Sequence, residues 1–412
     1  MEEWKEYKLG EVCDLIPGFA FKSSDFGDYG TKVIKIKDIQ PPFVDVNGAD
    51  GVCIKNYDVL KLSKFLVQKG DFILAMTGAT IGKIGRYIDN IPSYLNQRVL
   101  KFAPKEFVDF NFIYYYLSNA LFQLYVINHI DSESAQPNIS AKTIGNYPIS
   151  LPSLKTQKSI SCILQSLDDK IEVNRRINDN LEQQAQALFK SWFVDFEPFK
   201  DGEFVESELG MIPKGWRVGT LSELGEIVGG STPSKAKAHY YTKNGIAWLT
   251  PKDLSVSNCK FTAKGENDIT QEGYDSCSAK IMPKGSVLFS SRAPIGYITI
   301  AKNDICTNQG FKSVVPKLAG TAFIYYFLKF STSEIENKAT GSTFKEASGS
   351  LMKSLPAIVP TTIVLHNFEE LMKPIFKKQE ILEDESRRLA SLRDTLLPRL
   401  MSGELKINDI SV

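Results

Sequence analysis

The sequence predicts two repeated globular domains, each followed by one long helix, with the two helices paired as an antiparallel coiled coil about a pseudo-two-fold axis. Three observations support this architecture. The segment FIYYYL (Phe112–Leu117) returns as FIYYFL (Phe323–Leu328), about 210 residues later. Other matching segments keep the same order in both halves. Finally, each half ends in a stretch with heptad spacing of apolar residues.

The repeat extends over most of the chain. Small changes in offset between the copies are what loops of different length would produce. We therefore expect two homologous halves of about 200 residues each. The matched segments are Leu9–Val12 with Leu221–Leu224, Lys37-Asp38 with Lys252-Asp253, Lys69–Gly85 with Lys284–Thr299, Asn96-Gln97 with Asn308-Gln309, and Pro148 and Pro152 with Pro356 and Pro360.

The first part of each half is predicted to consist of short strands. Runs such as KVIKIKDI (Lys32–Ile39), DFILAMTG (Asp71–Gly78) and SVLFSS (Ser286–Ser291) are rich in β-branched and aromatic residues and are bounded by turn residues. The FIYYYL and FIYYFL segments are expected to be the buried faces of short helices that follow these strands.

The second part of each half is predicted to be a long helix. Asn174 and Asn178 fall on the same seam as the apolar residues, and buried polar seam positions typically fix the register of a coiled coil. Two matched helices in one chain most simply pack on each other, although each seam could instead recruit a different protein. The predicted seam residues are Ile160, Leu164, Leu167, Ile171, Leu181 and Leu188 in the first helix, and Phe368, Ile375, Leu382, Leu389 and Leu396 in the second.

These patterns divide the chain into six segments. The predicted limits are 1–154 for the first globular domain, 155–196 for the first long helix, 197–214 for a linker, 215–362 for the second globular domain, 363–402 for the second long helix, and 403–412 for a C-terminal tail.

Composition points to a soluble cytoplasmic protein. Of the 412 residues, 43% are hydrophobic and 11% aromatic, which is ample for globular cores. The N-terminal segment is charged, and no apolar run is long enough for a membrane span. The net charge of +1 is uninformative, but basic residues outnumber acidic ones in the matching stretches Lys61–Lys105 and Lys280–Lys317. Two such stretches at equivalent places indicate contacts with an anionic partner.

The sequence contains little that would support catalysis. His129, His239 and His366 are isolated, and the six cysteines are scattered, so neither a metal site nor a catalytic triad is predicted. Phosphate-binding and dinucleotide-binding glycine loops are also missing, so we expect no cofactor. QPPF (Gln40–Phe43) resembles an amino-methyltransferase motif, but Gln is one methylene too long, and a plain turn is favoured.

The chain resembles the specificity subunits of Type I restriction-modification systems over nearly its full length. The combination of features carries this resemblance, rather than any single motif. Those features are the alternation of two β-rich domains with two long helices, the junction ELGMIPKGW (Glu208–Trp216), the proline-containing entries to the helices at Pro148 and Pro152, and LLPRLMSGEL (Leu396–Leu405) after the last helix.

The resemblance implies a function as well as a fold. It implies that each globular part is an α/β target recognition domain that reads one half of a split site in double-stranded DNA. The coiled coil would space these domains and dock two methyltransferase subunits, and translocase-nuclease subunits would join the complex. The chain itself would be non-catalytic, and its partners would methylate adenine and cut DNA.

Helix length limits the spacing of such a split site. A straight helix over Ser159–Phe193 is about 52 Å long. That length corresponds to roughly 15 base pairs at the rise of B-DNA. Because the two halves differ in sequence, we expect two unrelated half-sites.

The repeat also sorts residues by expected role, because a residue kept in both halves cannot encode different half-sites. Gly82 and Gly296 are scaffold candidates, and Asn96-Gln97 and Asn308-Gln309 fit scaffold or DNA-backbone contacts. Polar loop residues that differ between the halves are better candidates for reading bases. The candidate DNA-binding residues are Thr77, Thr80, Lys83, Arg86, Asn96, Gln97, Arg98, Ser132, Ser134, Gln136 and Asn138 in the first half, and Ser290, Ser291, Arg292, Asn308, Gln309, Ser342, Thr343 and Lys345 in the second.

Other functions remain open at this point. One is a DNA methyltransferase or nuclease with its own active site, and another is a coiled-coil scaffold carrying two protein-binding modules. A specificity chain that serves a methylation-only system differs only in its partners.

Overall fold

A computed structural model describes residues 4–130, 137–256, 259–341 and 345–406. The chain forms two compact units: unit 1 (Met1–Lys170 with Arg388–Val412) and unit 2 (Ile171–Arg387). Both units combine short strands with helices, which confirms the predicted α/β class.

Unit 1 contains the first repeat. Its strands are β1 (Lys5–Lys8), β2 (Cys13–Pro17), β3 (Phe26–Gly27), β4 (Thr31–Ile34), β5 (Ile39–Gln40), β6 (Phe43–Val44), β7 (Asp50–Val52), β8 (Leu66–Val67), β9 (Phe72–Ala75), β10 (Ile84–Arg86), β11 (Ser93–Leu95), β12 (Val99–Pro104) and β13 (Pro148–Leu151). Its helices are α1 (Leu9–Val12), α2 (Val59–Leu62), α3 (Phe110–Leu117), α4 (Ala120–Asn128), α5 (Ala141–Gly145) and the first part of α6 (Leu154–Phe193). The strands form sheets in the orders β2-β12-β9-β10-β6-β5, β3-β7-β4-β11-β8 and β1-β13.

The central strand of the six-stranded sheet is buried on both faces. All four residues of β9 are inaccessible to solvent. Because side chains alternate along a strand, Phe72 and Leu74 enter the core around α3, whereas Ile73 and Ala75 enter a second core with Val44. This apolar FILA run therefore separates two hydrophobic layers.

The repeated aromatic segment is a buried helix in both units, as predicted. In unit 1 it forms α3, where Asp109 caps the N-terminus by accepting a hydrogen bond from the Phe112 amide at 2.9 Å. Ile113 and Leu117 are fully buried against the sheet. Burial of this aromatic and aliphatic surface is the main contribution of the segment to stability.

Unit 2 repeats this plan. Its strands are β14 (Phe204–Ser207), β15 (Gly210–Pro213), β16 (Arg217–Thr220), β17 (Gly225–Gly229), β18 (Tyr241–Thr242), β19 (Trp248–Leu249), β20 (Phe261–Thr262), β21 (Asp268–Ile269), β22 (Val287–Ser291), β23 (Ile295–Ala301), β24 (Cys306–Thr307), β25 (Lys312–Pro316) and β26 (Pro356–Val359). Its helices are α7 (Leu221–Leu224), α8 (Pro251–Val256), α9 (Gln271–Asp275), α10 (Thr321–Lys338), α11 (Gly349–Ser354) and most of α12 (Thr362–Met401). The five-stranded sheet has the order β17-β25-β22-β23-β20.

The segment predicted as a linker, 197–214, contains a β-hairpin in addition to its turns. Strands β14 and β15 pair antiparallel, and the turn between them is exposed at Glu208-Leu209. The Phe199 ring packs edge-on against Trp216, with 5.0 Å between ring centroids. Aromatic packing explains why this polar, proline-containing segment is ordered.

Each long helix has 40 residues and belongs partly to both units. Within unit 2, Asn174 donates to Glu385 at 2.8 Å, and Gln379 donates to Glu182 at 3.3 Å. Residue numbers rise on α6 as they fall on α12, so the two helix segments in this unit are antiparallel. None of the predicted seam residues is exposed, and Ile160, Leu164, Phe368 and Leu382 are fully buried.

The two ends of the described chain meet in unit 1. Gly403, with φ +72°, lies against the indole of Trp4. Strand β1 pairs antiparallel with β13 just before α6 begins. Among the described helices, none has an apolar stretch long enough to cross a membrane.

Candidate nucleic-acid interface

Two parallel strands end side by side in each unit. In unit 1, β4 and β11 are parallel with Leu95 opposite Ile34. In unit 2, β19 and β24 are parallel with Thr307 opposite Leu249. The turns that follow these strands form what we call the carboxyl edge, made of residues 35–38 and 96–98 in unit 1 and of residues 250–253 and 308–310 in unit 2. In open, mostly parallel α/β sheets, binding sites often lie beyond the carboxyl ends of the strands, and these turns lie at the corresponding ends of the two parallel pairs.

An aspartate holds the first turn of the carboxyl edge in both units. The Lys35 amide donates to the Asp38 carboxylate at 2.8 Å, and the Thr250 amide donates to Asp253 at 2.7 Å. Burial raises the pKa of the Asp38 carboxyl above its ordinary value. Both carboxylates are therefore bonded within the turn.

An asparagine holds the second turn. The Asn96 amide donates to the Ile34 carbonyl at 3.0 Å, and the Asn308 amide donates to the Leu249 carbonyl at 2.9 Å. Each asparagine side chain accepts a hydrogen bond from an amide of its own turn, at 2.7 Å in unit 1 and 2.8 Å in unit 2. These bonds give the repeated asparagines a structural role, whereas the neighbouring Gln97 and Gln309 are exposed.

A glycine lets a third segment approach the same edge. A Cβ atom on Gly18 would lie 2.1 Å from the Asn96 carbonyl oxygen, and one on Gly230 would lie 2.0 Å from the Asn308 carbonyl oxygen. Any side chain at either position would displace the backbone. The loops after Gly18 and Gly230 are thus fixed against the carboxyl edge in the same way.

The two predicted scaffold glycines follow the strand that crosses the middle of each sheet. Gly82 has φ +81° and Gly296 has φ +100°, a left-handed conformation that favours glycine. A Cβ on Gly296 would meet the Thr332 side chain at 2.6 Å. Their geometry agrees with the predicted scaffold role.

The predicted readers of unit 1 lie in different environments. Lys83 and Arg98 are exposed, and Asn138 is half-buried. Thr77 is buried and forms a backbone bridge to Asn138, and the Thr80 hydroxyl is buried without a protein partner among the described residues. Exposed side chains can contact DNA directly, whereas Thr77 would need a rearrangement.

Two of the predicted readers of unit 2 are inaccessible. The Ser290 hydroxyl donates to the Pro294 carbonyl at 2.8 Å, and the Ser291 hydroxyl donates to the Gly310 carbonyl at 3.2 Å. Both serines are fully buried, because β22 packs on both faces. The two hydroxyls thus stabilise the turn beside Arg292.

Arg292 is positioned differently from these serines. Its side chain is 36% exposed, and Nη1 lies 3.3 Å from Glu346. The same carboxylate holds Lys312 at 3.2 Å. Lys345 is exposed and donates to a backbone carbonyl at 3.3 Å. The remaining predicted readers, Ser132, Ser134, Gln136, Ser342 and Thr343, lie outside the described residues.

A cavity of about 540 Å³ brings three predicted residues of unit 2 together: Arg292, Asn308 and Gln309. Other polar residues that the sequence analysis did not propose as DNA contacts also line it, namely Thr232, Lys235, Lys252 and Asn267. The only sequence signal for this set was the repeated Lys-Asp pair that includes Lys252. The cavity offers both charged and amide groups to a ligand.

The equivalent place in unit 1 is filled with aromatic rings. The Phe19 amide donates to the Leu95 carbonyl at 2.8 Å, as the Ser231 amide does to Thr307 at 2.9 Å, so the two loops correspond. Phe19 contacts Phe21, with 5.0 Å between centroids. Tyr57 and Phe65 complete this cluster. The two units therefore present different surfaces on one scaffold.

The repeated tyrosines connect the sheet of unit 2 to the long helices. The Lys260 ammonium is 4.7 Å from the Tyr325 ring and donates to the Tyr326 hydroxyl, to Glu182 and to Gln379 at 2.7–2.8 Å. Burial lowers the pKa of Lys260 to about 8. Burial also opposes ionisation of Glu182, but the positive charges of Lys260 and Lys329 together outweigh it and hold the Glu182 pKa at about 2. The pair is ionised at neutral pH.

In unit 1 the cation beside the repeated tyrosines is an arginine, Arg86, instead of a lysine. The Arg86 guanidinium stacks on Tyr114 at 4.1 Å, and its Nε and Nη2 are buried without a hydrogen-bond partner among the described residues. Tyr115 donates to Asp168 at 2.7 Å, and Asp168 also pairs with Arg393 at 2.7 Å. Arg86 was predicted as a DNA reader; in the structure its guanidinium lies against the aromatic helix.

Within the described residues, no group of three His, Cys, Asp or Glu side chains is arranged to hold a metal ion. Burial raises the pKa of the Cys13 and Cys306 thiols to about 12. Those two thiols are therefore protonated at neutral pH, and a thiolate nucleophile is not favoured at either position.

Comparison with known proteins identifies the family. The model of the Type I restriction modification DNA specificity domain matches residues 1–183 and 213–383. The chain is 40% identical to the Type I restriction enzyme MjaIX specificity subunit of Methanocaldococcus jannaschii, over 44% of each chain. It is 26% identical to the HindI specificity subunit of Haemophilus influenzae, over 98% of this chain and all of that one.

The fold is also found among solved structures. The S subunit of a Type I restriction-modification system from M. genitalium aligns with a TM-score of 0.61 at 15% identity, covering 97% of this chain and 96% of that one. The likeness supports the predicted architecture of two repeated domains with long helices. The relatives are named specificity subunits, which confirms the prediction of a non-catalytic subunit. With the specificity-domain model matching both of its halves, this chain belongs to the family of Type I restriction-modification DNA specificity subunits.

Proposed function

We propose that this chain reads an asymmetric, bipartite site in double-stranded DNA, with one half-site contacted by each unit. The observation that carries the proposal is the carboxyl edge, which is built twice from the same turns and surrounded by different side chains. Arg292 follows β22 in unit 2, whereas Thr77 follows the equivalent strand β9 in unit 1. A common scaffold surrounded by different side chains is what two different half-sites require.

The chemistry of unit 2 suits direct readout. Arg292 is partly exposed and lines the same cavity as Gln309. Arginine binds guanine in a bidentate manner, and glutamine does the same with adenine. Glu346 fixes one end of the Arg292 guanidinium, which reduces the entropy lost on binding. In unit 1, Lys83, Gln97 and Arg98 are the exposed candidates.

We further propose that the helices set the distance between the half-sites. A straight 40-residue helix is about 60 Å long, or roughly 18 base pairs of B-DNA. Buried polar groups such as Asn174, which donates to Glu385 on the other helix, favour one register. A fixed register supports a spacer of fixed length in the target.

We also propose protein partners, on the basis of the family to which the chain belongs. The chain is proposed to bind two methyltransferase subunits through the outer faces of its helices and to direct adenine methylation by them. Val173 and Ile177, which are 48% and 37% exposed, give α6 an apolar strip on which a partner could pack. Translocase-nuclease subunits would join this complex in a restricting system and would be missing from a methylation-only one.

The test is expression of this chain with the methyltransferase encoded beside it, in a host that lacks the system, followed by genome-wide mapping of adenine methylation. We expect a new bipartite motif with an unspecified spacer, which is lost when this chain is omitted. Methylation that does not depend on this chain, with an active methyltransferase bound to it, would refute the proposal and favour a protein-binding scaffold. Binding of the methyl donor by the isolated chain would favour an enzyme.

A further inference from the structure

One lysine occupies the same place on the carboxyl edge of both units. Lys37 precedes the turn-holding Asp38, and Lys252 precedes the turn-holding Asp253. In each unit this turn lies beside the Asn-Gln turn, because the asparagine amide donates to the last carbonyl of the neighbouring strand. Lys252 and Gln309 line the same cavity.

Both lysines are available to a ligand. Their side chains are 55% and 78% exposed. Lys37 lies 3.3 Å from Asp50, and Lys252 lies 3.5 Å from Glu266. Exposed ion pairs of this kind contribute little to stability, so a stronger anion can displace the carboxylate. The turn aspartates, Asp38 and Asp253, are bonded to backbone amides, and each lysine is held only by contacts that are open to solvent.

Because the lysine is present in both units, the kinds of group that it can recognise are limited. The surrounding residues differ between the units, with Phe19 and Phe21 in one and Thr232 and Lys235 in the other. A group that both units share cannot distinguish two unrelated half-sites, but it can bind what every half-site contains. The sugar-phosphate backbone is that common component, and lysine binds phosphate as a point charge.

We propose that Lys37 and Lys252 are matched phosphate contacts, each binding the DNA backbone at the half-site of its own unit, next to Gln97 or Gln309. This inference rests on the proposed function, because it assumes that each carboxyl edge faces DNA. The phosphate contacts place the DNA, and the variable groups around them, such as Arg292, then read the bases. The lysines would add affinity for all sequences equally.

A matched pair of control residues exists in the chain. Lys105 and Lys317 are also repeated exposed lysines. Lys105 directly follows β12 and its amide donates to the Val12 carbonyl at 3.0 Å, and Lys317 directly follows β25 and its amide donates to the Leu224 carbonyl at 3.1 Å. They lie at the far end of β2 and β17 from Gly18 and Gly230. Lys317 even has a comparable exposed partner, Glu226 at 3.0 Å. They differ from Lys37 and Lys252 in lying away from the carboxyl edge.

The test measures DNA binding by the complex of the full chain with its methyltransferase, as a function of salt. The probes are a duplex with the motif found by methylation mapping and a scrambled duplex of equal length. Lys37→Ala and Lys252→Ala are each expected to reduce the slope of log K against log salt by about 0.9, on both duplexes, with the methylated motif unchanged. The double variant should lose about twice as much, and Lys→Arg variants should keep the wild-type slope.

Three results would overturn the inference. A slope unchanged in both alanine variants would show that the lysines do not contact phosphate. An equal loss in Lys105→Ala and Lys317→Ala would show a general charge effect, and an altered motif would show that the lysines read bases. If the wild-type complex shows neither methylation of a bipartite motif nor DNA binding, the proposed function fails together with this inference.

Discussion

The loops after Gly18 and Gly230 occupy equivalent places, yet one is aromatic and the other is polar. In unit 1, Phe19 and Phe21 pack with Tyr57 and close the space beside the carboxyl edge. In unit 2, Thr232 and its neighbours line a cavity together with Arg292. Both loops are fixed by the same glycine contact to an asparagine carbonyl. In this chain the surface beside the carboxyl edge therefore differs between the units, while the backbone contact that supports it is the same.

The cations that lie over the tyrosine pairs of α3 and α10 also combine a shared position with different residues. Lys260 and Pro42 occupy equivalent positions, since their carbonyls accept hydrogen bonds of 2.8 Å from Ile300 and Arg86 respectively. Where unit 2 places the lysine, unit 1 has a proline and takes its cation from the adjacent strand, at Arg86. The position of the charge over the tyrosine pair is kept, although the residue that supplies it has changed strands.

The largest expected effect is the loss of Lys260. Lys260→Ala should reduce the free energy of opening of α10 by about 3 kcal/mol, because Glu182 and Gln379 lose a buried partner. Arg86→Ala should cost α3 only about 1–2 kcal/mol, since its main contact is cation–π stacking. Amide hydrogen exchange measures both. Equal losses would mean that the two anchors are energetically equivalent, contrary to this interpretation.

The shared glycine contact should be equally sensitive in the two units. Gly18→Ala and Gly230→Ala are each expected to destabilise their own unit by about 2 kcal/mol, because the new Cβ would meet a backbone oxygen. Exchange of the amides in β11 and β24 reports the change. Gly27→Ala is the control, since a Cβ there meets nothing within 4 Å. If only one of the two variants is affected, the scaffold contacts are less alike than the distances indicate.

Removal of Arg292 should change the DNA specificity at one half-site and leave the other half-site unchanged. Arg292→Ala is expected to relax recognition at one base pair of a single half-site, by about 1–3 kcal/mol of discrimination. Methylation mapping with the partner methyltransferase detects the degenerate position. Ser291→Ala serves as the control, because its buried hydroxyl is bonded to the Gly310 carbonyl and should leave the motif unchanged. A motif that changes in Ser291→Ala but not in Arg292→Ala would contradict the role of Arg292 in base readout.

The last expected effect is seen only in acid. The pKa of Glu182 is about 2 in the folded chain, below its ordinary 4.5, because Lys260 and Lys329 outweigh the effect of burial. The folded state thus binds fewer protons between these values, so the stabilisation by Glu182 is complete above pH 4.5 and is lost as the pH falls towards 2. Urea unfolding of wild type and Glu182→Gln should show a difference that shrinks over this window. A constant difference would mean that Glu182 does not titrate as part of the pair.

The sequence was sufficient for features that depend on local periodicity. The FIYYYL and FIYYFL segments form helices α3 and α10, as predicted, because their apolar residues must be buried whatever surrounds them. Heptad spacing predicted two long helices, and the structure has Leu154–Phe193 and Thr362–Met401. Order and repetition along the chain carry this information directly.

Features that depend on strand pairing could not be predicted. The equivalence of Pro42 and Lys260 appears only when β6 and β20 are each paired with a neighbouring strand, because insertions shift the alignment there. Ser290 and Ser291 look like exposed turn residues in the sequence, yet β22 is buried on both faces. Lys37 and Lys252 were visible as a repeat, but their proximity to the Asn-Gln turns required the parallel pairing of the strands.

The contact between Trp4 and Gly403 brings the two ends of the described part of the chain together. A short peptide between these residues would close it, and the exposed Glu208-Leu209 turn of the β-hairpin offers a place to open it again. A circular permutant made in this way keeps every strand pair except the β14–β15 hairpin, and each long helix stays continuous. The linear order of the two repeats is therefore one of at least two orders that can encode the same arrangement of contacts.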